Sequence, residues 1–355
     1  MQDSVAVVFV ALGRSTPLTL IAAAHHAADA HPQAKLFLVT DKPRRWSKVF
    51  PGEVVAYGRK NRNPAMRDLE AKFPRRALSA DGYWIKTIER LFALEALQGL
   101  VAEDSSVIHY ESDVLGFVGQ DLLTEMKRRC FRVAVPLESL EAGCASIVFS
   151  PNLGALRAGL RSLEEVLFRS DVWVSDMGLL AAAASEGKID VLPTRPEGSW
   201  EVKIAGNQRK YLFDATALGM YLFGRDGYHD GGEVTSGFRH PDFEYDLREW
   251  KWRLEKSYLD GESKSKIVVA EYGGEDYYIA NLHVHSKIMP GPCVKENPQW
   301  TRIIEEANGS AGRKMFSAPN RYNFGFSLTL ETFVLAAKIA CRLFIRRVQQ
   351  QSWRI

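Results

Sequence analysis

Residues 5–11 read Val-Ala-Val-Val-Phe-Val-Ala, an unbroken apolar run of strand length, and the segments behind it limit the folds open to the chain. Leu12-Gly-Arg-Ser-Thr-Pro17 interrupts the run, an Ala/Leu/Ile-rich segment continues to Ala30, and a second strand-like run over residues 35–40 ends at Asp41. The order predicts strand, turn, helix, strand. Ser15 or Thr16 can cap the helix with Pro17 in its first turn, which leaves Gly13 and the turn backbone free to approach a ligand. A βαβ unit calls for a parallel, doubly wound α/β sheet, whose ligands sit at the carboxyl ends of the strands.

Further elements follow the same logic. Residues 59–76 are charged and carry Pro64 and Pro74, and are expected to be irregular. Residues 83–97 resume helical periodicity: Ile85, Ile88, Phe92 and Ala96 share one face, and Lys86 and Arg90, four apart, share another. Those two bases suit either a solvated face or a site. Strands are expected over 131–136, 145–149 and 189–193, a helix over 156–168, and another opening at Asp176-Met-Gly-Leu-Leu180. Residues 211–223 are apolar with Asp214 and Gly219 embedded, and a polar, glycine-rich region follows to 237.

With 355 residues and 46% hydrophobic content, the chain can bury a large core, so disorder is not its main character. A net charge of +3 from nearly balanced acids and bases makes no demand for nucleic acid. The four cysteines form no Cys-x-x-Cys pair, so neither a disulfide framework nor a structural zinc site is suggested. The first residues lack the basic region of a secretory signal, and a cytoplasmic location is expected.

The chemistry concentrates in two places. Residues 107–115 read Val-Ile-His-Tyr-Glu-Ser-Asp-Val-Leu, an apolar strand running into Glu111 and Asp113. Alternation along a strand points both carboxylates the same way, which suits Mg²⁺ or Mn²⁺ with positions left for phosphate oxygens. The bland alternative is a solvated turn with two acids. The second cluster is Tyr278-Ile-Ala-Asn-Leu-His-Val-His-Ser-Lys287, expected as one strand with Asn281, His283 and His285 on one face and Lys287 at its end. It reads as either the completion of the first site or a hydrogen-bonded histidine pair. Leu-His-Val-His-Ser also resembles the opening metal motif of the polymerase and histidinol phosphatase phosphoesterases. That motif needs partner histidines downstream, and none follows His285.

Taken in order, these features resemble a glycosyltransferase of the GT-A fold, most similar to glycogenin-like and galactosyltransferase-like families. The strand and turn at Val5 to Arg14 come first, then Lys86 on the helix before the metal strand, then Glu111-Ser-Asp113. Asp176-Met-Gly-Leu-Leu180 resembles the Asp-Gln-Gly-Leu-Leu donor-sugar segment, and His283 to Lys287 resembles the late histidine and lysine of those enzymes. The resemblance implies a Rossmann-like, mostly parallel sheet flanked by helices. It implies that Asp113 is the main ligand of Mn²⁺ or Mg²⁺, that Glu111 contacts metal or ribose, and that His283 or His285 is the late ligand. Lys86 and Lys287 would neutralise the diphosphate, Asp176 would bond sugar hydroxyls, and Ala11, Leu12 and Gly13 would hold the base and ribose. The implied partners are a nucleotide-sugar donor and a glycan or glycolipid acceptor.

Two departures stand out. Glu111 replaces the usual first Asp, which keeps open a GT-A-like binding protein without catalysis. The late motif has two histidines and lacks the usual Gly before and Pro-Trp after its lysine. Retaining families need no enzymic base, and retention and inversion are both open on the sequence.

The expected organisation is a catalytic domain over 1–320, with a nucleotide-binding half to 115 and a donor-sugar and acceptor half from 116, and a basic amphipathic helix over 321–355. Residues 324–348 are apolar but include Glu331, Lys338, Arg342, Arg346 and Arg347, so they make a poor membrane span. Basic charge beside apolar residues suits an anionic membrane surface, here the inner face of the membrane. The alternative is a helix docked on the protein or on a dimer partner.

Overall fold

The computed structural model describes residues 4–13, 19–73, 83–169, 174–204, 206–224, 233–235, 240–256, 266–285, 298–308 and 314–317. The tail over 321–355, Lys287 and the expected cap at Ser15 or Thr16 lie outside the described residues. No helix among the described residues is long and apolar enough to cross a membrane.

The chain opens with β1 (Val5–Ala11), the helix Thr19–Ala30, β2 (Lys35–Thr40) and β3 (Glu53–Ala56). The helices Pro64–Lys72 and Tyr83–Phe92 lead to β4 (Ser106–Tyr110) and β5 (Val114–Gly116). Beyond the helix Gln120–Arg129 come β6 (Ala134–Pro136) and β7 (Ile147–Ser150). The helices Leu153–Arg169 and Asp176–Ser185 precede β8 (Asp190–Leu192), β9 (Trp200–Ile204) and β10 (Asn207–Leu212). The helix Ala217–Phe223 is followed by β11 (Glu233–Thr235), β12 (Lys251–Lys256), β13 (Lys266–Tyr272), β14 (Glu275–Ile279) and β15 (Asn281–His283). The helix Pro298–Asn308 and β16 (Lys314–Ser317) complete the described elements.

The main sheet has the order β3-β2-β1-β4-β7-β6-β8. β1 pairs in parallel with β2 and β4, β2 with β3, and β6 with β8, while β7 runs antiparallel between β4 and β6. This is the α/β class expected, a mostly parallel sheet flanked by helices. The unbroken apolar run of β1 has a physical reason, because the strand is covered on both faces. Val5, Val7, Phe9 and Ala11 enter one core with the helices Thr19–Ala30 and Gln120–Arg129. Ala6, Val8 and Val10 enter the other, with the helices Pro64–Lys72, Tyr83–Phe92, Leu153–Arg169 and Asp176–Ser185.

Three expectations change. Within 59–76 the chain folds as the helix Pro64–Lys72, with Asn63 accepting the Ala65 amide and Pro64 at the first helical position. Its charges are paired across elements: Arg62 forms a fork onto Glu70 and also binds Glu89, which is 1% exposed. The second change is at the carboxylates, where β4 ends at Tyr110 and a turn closed by the Val114 amide on the Glu111 carbonyl carries both acids. The third is that 278–287 is not one strand. β14 belongs to a second sheet of order β12-β13-β14-β10-β9, and after Ala280 the chain crosses to pair β15 antiparallel with β5.

Candidate metal and nucleotide site

The crossing at Ala280 builds the site. Register places His283 opposite Val114, and the Val284 amide donates to the Asp113 carbonyl at 2.8 Å. His283 Nε2 therefore stands 3.4 Å from Asp113 Oδ2 and 3.5 Å from Glu111 Oε2. One ligand atom from each of Glu111, Asp113 and His283 lies within 4.8 Å of the others, and all three residues are buried. His285 is outside this trio, with its ring centroid 5.9 Å from that of His283.

The donor set fits a divalent cation. Two carboxylates bring hard oxygen ligands and negative charge, and one imidazole brings nitrogen. His283 Nδ1 lies 3.0 Å from the Ala215 carbonyl, which favours a proton on that nitrogen and leaves Nε2 as the lone pair facing the acids. Burial alone would lower the His283 pKa, but the neighbouring Asp113 carboxylate outweighs it and holds the group well above the usual histidine range. The charge that favours a proton on Nε2 favours a metal cation in the same place.

Asp214, unassigned by sequence reasoning, holds this histidine. Its Oδ2 accepts the amides of Gly219 and His283, both at 2.9 Å, and its Oδ1 accepts the Leu218 amide at 3.0 Å. The carboxylate thus caps the helix Ala217–Phe223 and pins β15 against it. Burial pushes its pKa up to about 7, against the pull of the His283 and Gly219 amides that bond its charged form. Asn281 belongs to the same support, bonding both the amide and the carbonyl of Asp214. Helix and strand approach so closely that a Cβ at Gly219 would lie 2.0 Å from the His283 carbonyl oxygen. Gly219→Ala is expected to cost stability at the upper end of roughly 1–3 kcal/mol and to abolish Mn²⁺-induced stabilisation. Urea unfolding with and without Mn²⁺ checks this, and wild-type values for both would show that the contact is not tight.

The other expected residues fall around the same sheet edge. Ala11 is buried at the end of β1, Leu12 is half-buried, and Gly13 has φ +95° with its amide on Asp41 Oδ2 at 3.1 Å. Lys42 Nζ donates to the Gly13 carbonyl, so the end of β2 frames the turn. Lys86 passes beneath it, its Cγ 4.0 Å from where a Gly13 Cβ would stand, and its Nζ is 2.6 Å from Glu89. Asp176 is buried at the first turn of its helix, where Ser175 accepts the Gly178 amide. Burial raises the Asp176 pKa, and Arg90 acts against that.

Arg90 had no assigned role in the sequence, and its position is specific. Its Nη2 lies 2.7 Å from Glu111 Oε1 and 3.6 Å from Asp176 Oδ2, a fixed positive charge between the two acids. The spacing of Lys86 and Arg90 on one helix face was the available signal.

No protein-family model matches the chain, and no curated protein matches it. Among solved structures it is similar to the glycosyltransferase GlyE of Streptococcus pneumoniae TIGR4, at 15% identity over 54% of this chain and 45% of that one, with a TM-score of 0.32. It is similar to the galactosyltransferase LgtC in complex with donor and acceptor sugar analogs, at 16% identity over 53% and 73%, TM-score 0.33. For mouse xyloside xylosyltransferase 1 the values are 10% identity over 54% and 85%, TM-score 0.36. The match thus spans less than half the length of the GlyE chain. Likenesses this distant assign no activity.

Proposed function

We propose that this protein transfers a sugar from a nucleotide-sugar donor to a hydroxyl of a glycan or glycolipid acceptor. The observation that carries the reading is the convergence of Glu111, Asp113 and His283 at the carboxyl end of β4. In the sheet order β2-β1-β4, the chain leaves β1 toward β2 and returns on the other side to β4. A crevice at such a reversal is where open α/β sheets receive nucleotides. The Gly13 turn stands on one side of it and the two carboxylates on the other.

Glu111, Asp113 and His283 would hold the divalent ion, and an imidazole in the set favours Mn²⁺ over Mg²⁺, which prefers oxygen ligands. Such an ion supplies positive charge for a leaving nucleoside diphosphate. The protein's own groups do the rest. The backbone of Ala11, Leu12 and Gly13 borders the place for base and ribose, with Asp41 and Lys42 fixing the turn. Lys86 and Lys287 add charge toward the diphosphate. Arg90 holds Asp176 so that it can bond sugar hydroxyls while Glu111 keeps its second oxygen toward the ion. Residues 1–320 form the catalytic domain in this reading, and the basic segment beyond them attaches a cytoplasmic enzyme to an anionic membrane surface.

Calorimetry with UDP, GDP and CDP, each with Mn²⁺ and with EDTA, tests the proposal. One diphosphate is expected to bind in Mn²⁺ and to lose at least tenfold in affinity in EDTA. The matching nucleotide sugars should then donate to glycan acceptors. Absence of binding by all three, or equal binding in EDTA, would remove the reading.

A further inference from the structure

Four exposed bases stand together without an acid to match them. Arg44 and Arg45 follow β2, Arg59 and Lys60 follow β3, and none of the four has a carboxylate partner among the described residues. Surface bases on other elements are matched: Arg128 and Arg129 bind Glu125, and Arg157 binds Glu103. From Lys42 to Arg62 the chain carries seven Lys or Arg against one acid, Glu53, so the excess is local in a chain of net charge +3. β2 and β3 are parallel, and both pairs of bases therefore leave the same edge of the sheet. The turn that presents Arg59 and Lys60 is fixed, because Asn61 accepts the Gly58 amide at 2.8 Å and donates to the Ala56 carbonyl at 2.7 Å.

Farther along that edge stands Leu140, which is 90% exposed. It lies at the tip of the hairpin between β6 and β7, where Leu137 pairs with Gly143 and the Glu138 amide bonds the Ala142 carbonyl at 2.8 Å. The Gly143 amide donates to the Met177 carbonyl at 2.9 Å, which ties the hairpin to the helix opened by Asp176. A single exposed leucine needs no explanation by itself. Its company gives it one. β6 and β4 both run antiparallel to β7, and β1, β2 and β3 run parallel to β4, so the bases, the Gly13 turn, the two carboxylates and Leu140 all follow strands that end at one edge. From β3 to β6 is five inter-strand spacings, about 24 Å, and the metal site lies between the two ends. Glu141, exposed beside Leu140, adds no attraction for anions, so the charge rests on the bases alone.

Resting on the glycosyl-transfer reading for what the site does, we infer that this edge of the main sheet lies against an anionic membrane. Arg44, Arg45, Arg59 and Lys60 meet lipid phosphates at one end, and Leu140 enters the acyl boundary at the other. The contact is separate from the basic segment beyond residue 320. It turns the metal site toward the lipid surface, so an acceptor anchored there reaches the site without leaving the membrane. Phe131, 78% exposed, precedes β6 and so belongs to the opposite edge, away from the bilayer.

The test is sedimentation of the full chain with vesicles of phosphatidylglycerol and phosphatidylcholine in equal parts, at low salt. Reversing three charges together, Arg44→Glu, Arg59→Glu and Lys60→Glu, should weaken binding roughly tenfold or more. Leu140→Ser should weaken it roughly tenfold, and Phe131→Ser should leave it unchanged. All variants keep the segment beyond residue 320, and all should keep the wild-type melting temperature and the wild-type affinity for the nucleoside diphosphate with Mn²⁺. Wild-type vesicle binding in both the charge-reversed and the Leu140→Ser proteins overturns the inference, as does an equal loss in Phe131→Ser. Loss of diphosphate affinity in the charge-reversed protein with vesicle binding intact also overturns it, since the bases would then serve the donor. Absence of sugar transfer by the wild type removes the glycosyl-transfer reading and leaves the vesicle result to stand or fall by itself.

Discussion

Asp113→Asn should lower glycosyl transfer roughly 100- to 1,000-fold, the range seen when a group stabilising transition-state charge is removed. The substitution keeps shape and removes one negative charge from a site where Asp113 is 3% exposed. The pairing of β5 with β15 should survive, because Val284 bonds the Asp113 main-chain carbonyl, not its side chain. His283 would lose the charge that holds its proton, leaving Glu111 as the one charged carboxylate of the trio. Circular dichroism should therefore match the wild type while Mn²⁺ affinity falls. Full activity in this variant would mean that the cluster does not hold the ion.

Acidification should destabilise the fold by about 3 kcal/mol between pH 6.5 and 5, a large fraction of the 5–15 kcal/mol typical of a domain. Burial pushes the imidazoles of His26, His31 and His109 each down to about 4, from 6.5 for an exposed ring. The unfolded chain takes up these protons first, so stability falls as pH drops through 6.5 and stops falling from this source below about 4. Over pH 6.5 to 5 the three rings together cost about 5 kcal/mol. Asp214 acts in the opposite sense. With its pKa raised to about 7, it binds its proton more readily in the fold and returns about 2 kcal/mol over the same window. His26 Nε2 donates to the Gly116 carbonyl at 3.0 Å, and its Nδ1 is buried with no hydrogen-bond partner among the described residues. His26→Gln can keep the bond to Gly116 and should remove about a third of the histidine effect. Urea midpoints at pH 6.5 and 5 measure this, and equal stability at the two values would contradict it.

The half of the fold most legible in the sequence was the one buried on both faces. The run of β1 is apolar throughout and those of β2 and β4 are mostly so, because helices cover each side, and they read as strands without any partner in view. The helix Pro64–Lys72 was hidden because its many charges looked solvated. Arg62 in fact binds both Glu70 and Glu89 and so joins the helices Pro64–Lys72 and Tyr83–Phe92, and the pairing makes a helix there compatible with a packed core. The residue types of the site were visible in Glu111, Asp113 and His283. Their meeting depends on the chain changing sheets at Ala280, where the backbone bonds both Leu212 and Phe117, and no local pattern announces that. For the same reason Arg90 and Asp214 drew no functional assignment. Each acts through a partner distant in sequence, and each looks alone like an ordinary surface charge or a polar interruption.

Anomalous scattering at the manganese edge, from crystals grown with Mn²⁺ and the nucleoside diphosphate that binds best, tests the central claim most directly. The account predicts one strong peak within about 2.6 Å of the Asp113 carboxylate and of His283 Nε2, with the diphosphate reaching the same ion and the base beside the Gly13 turn. A diphosphate bound with no peak between Asp113 and His283, or a peak at another set of residues, would contradict it.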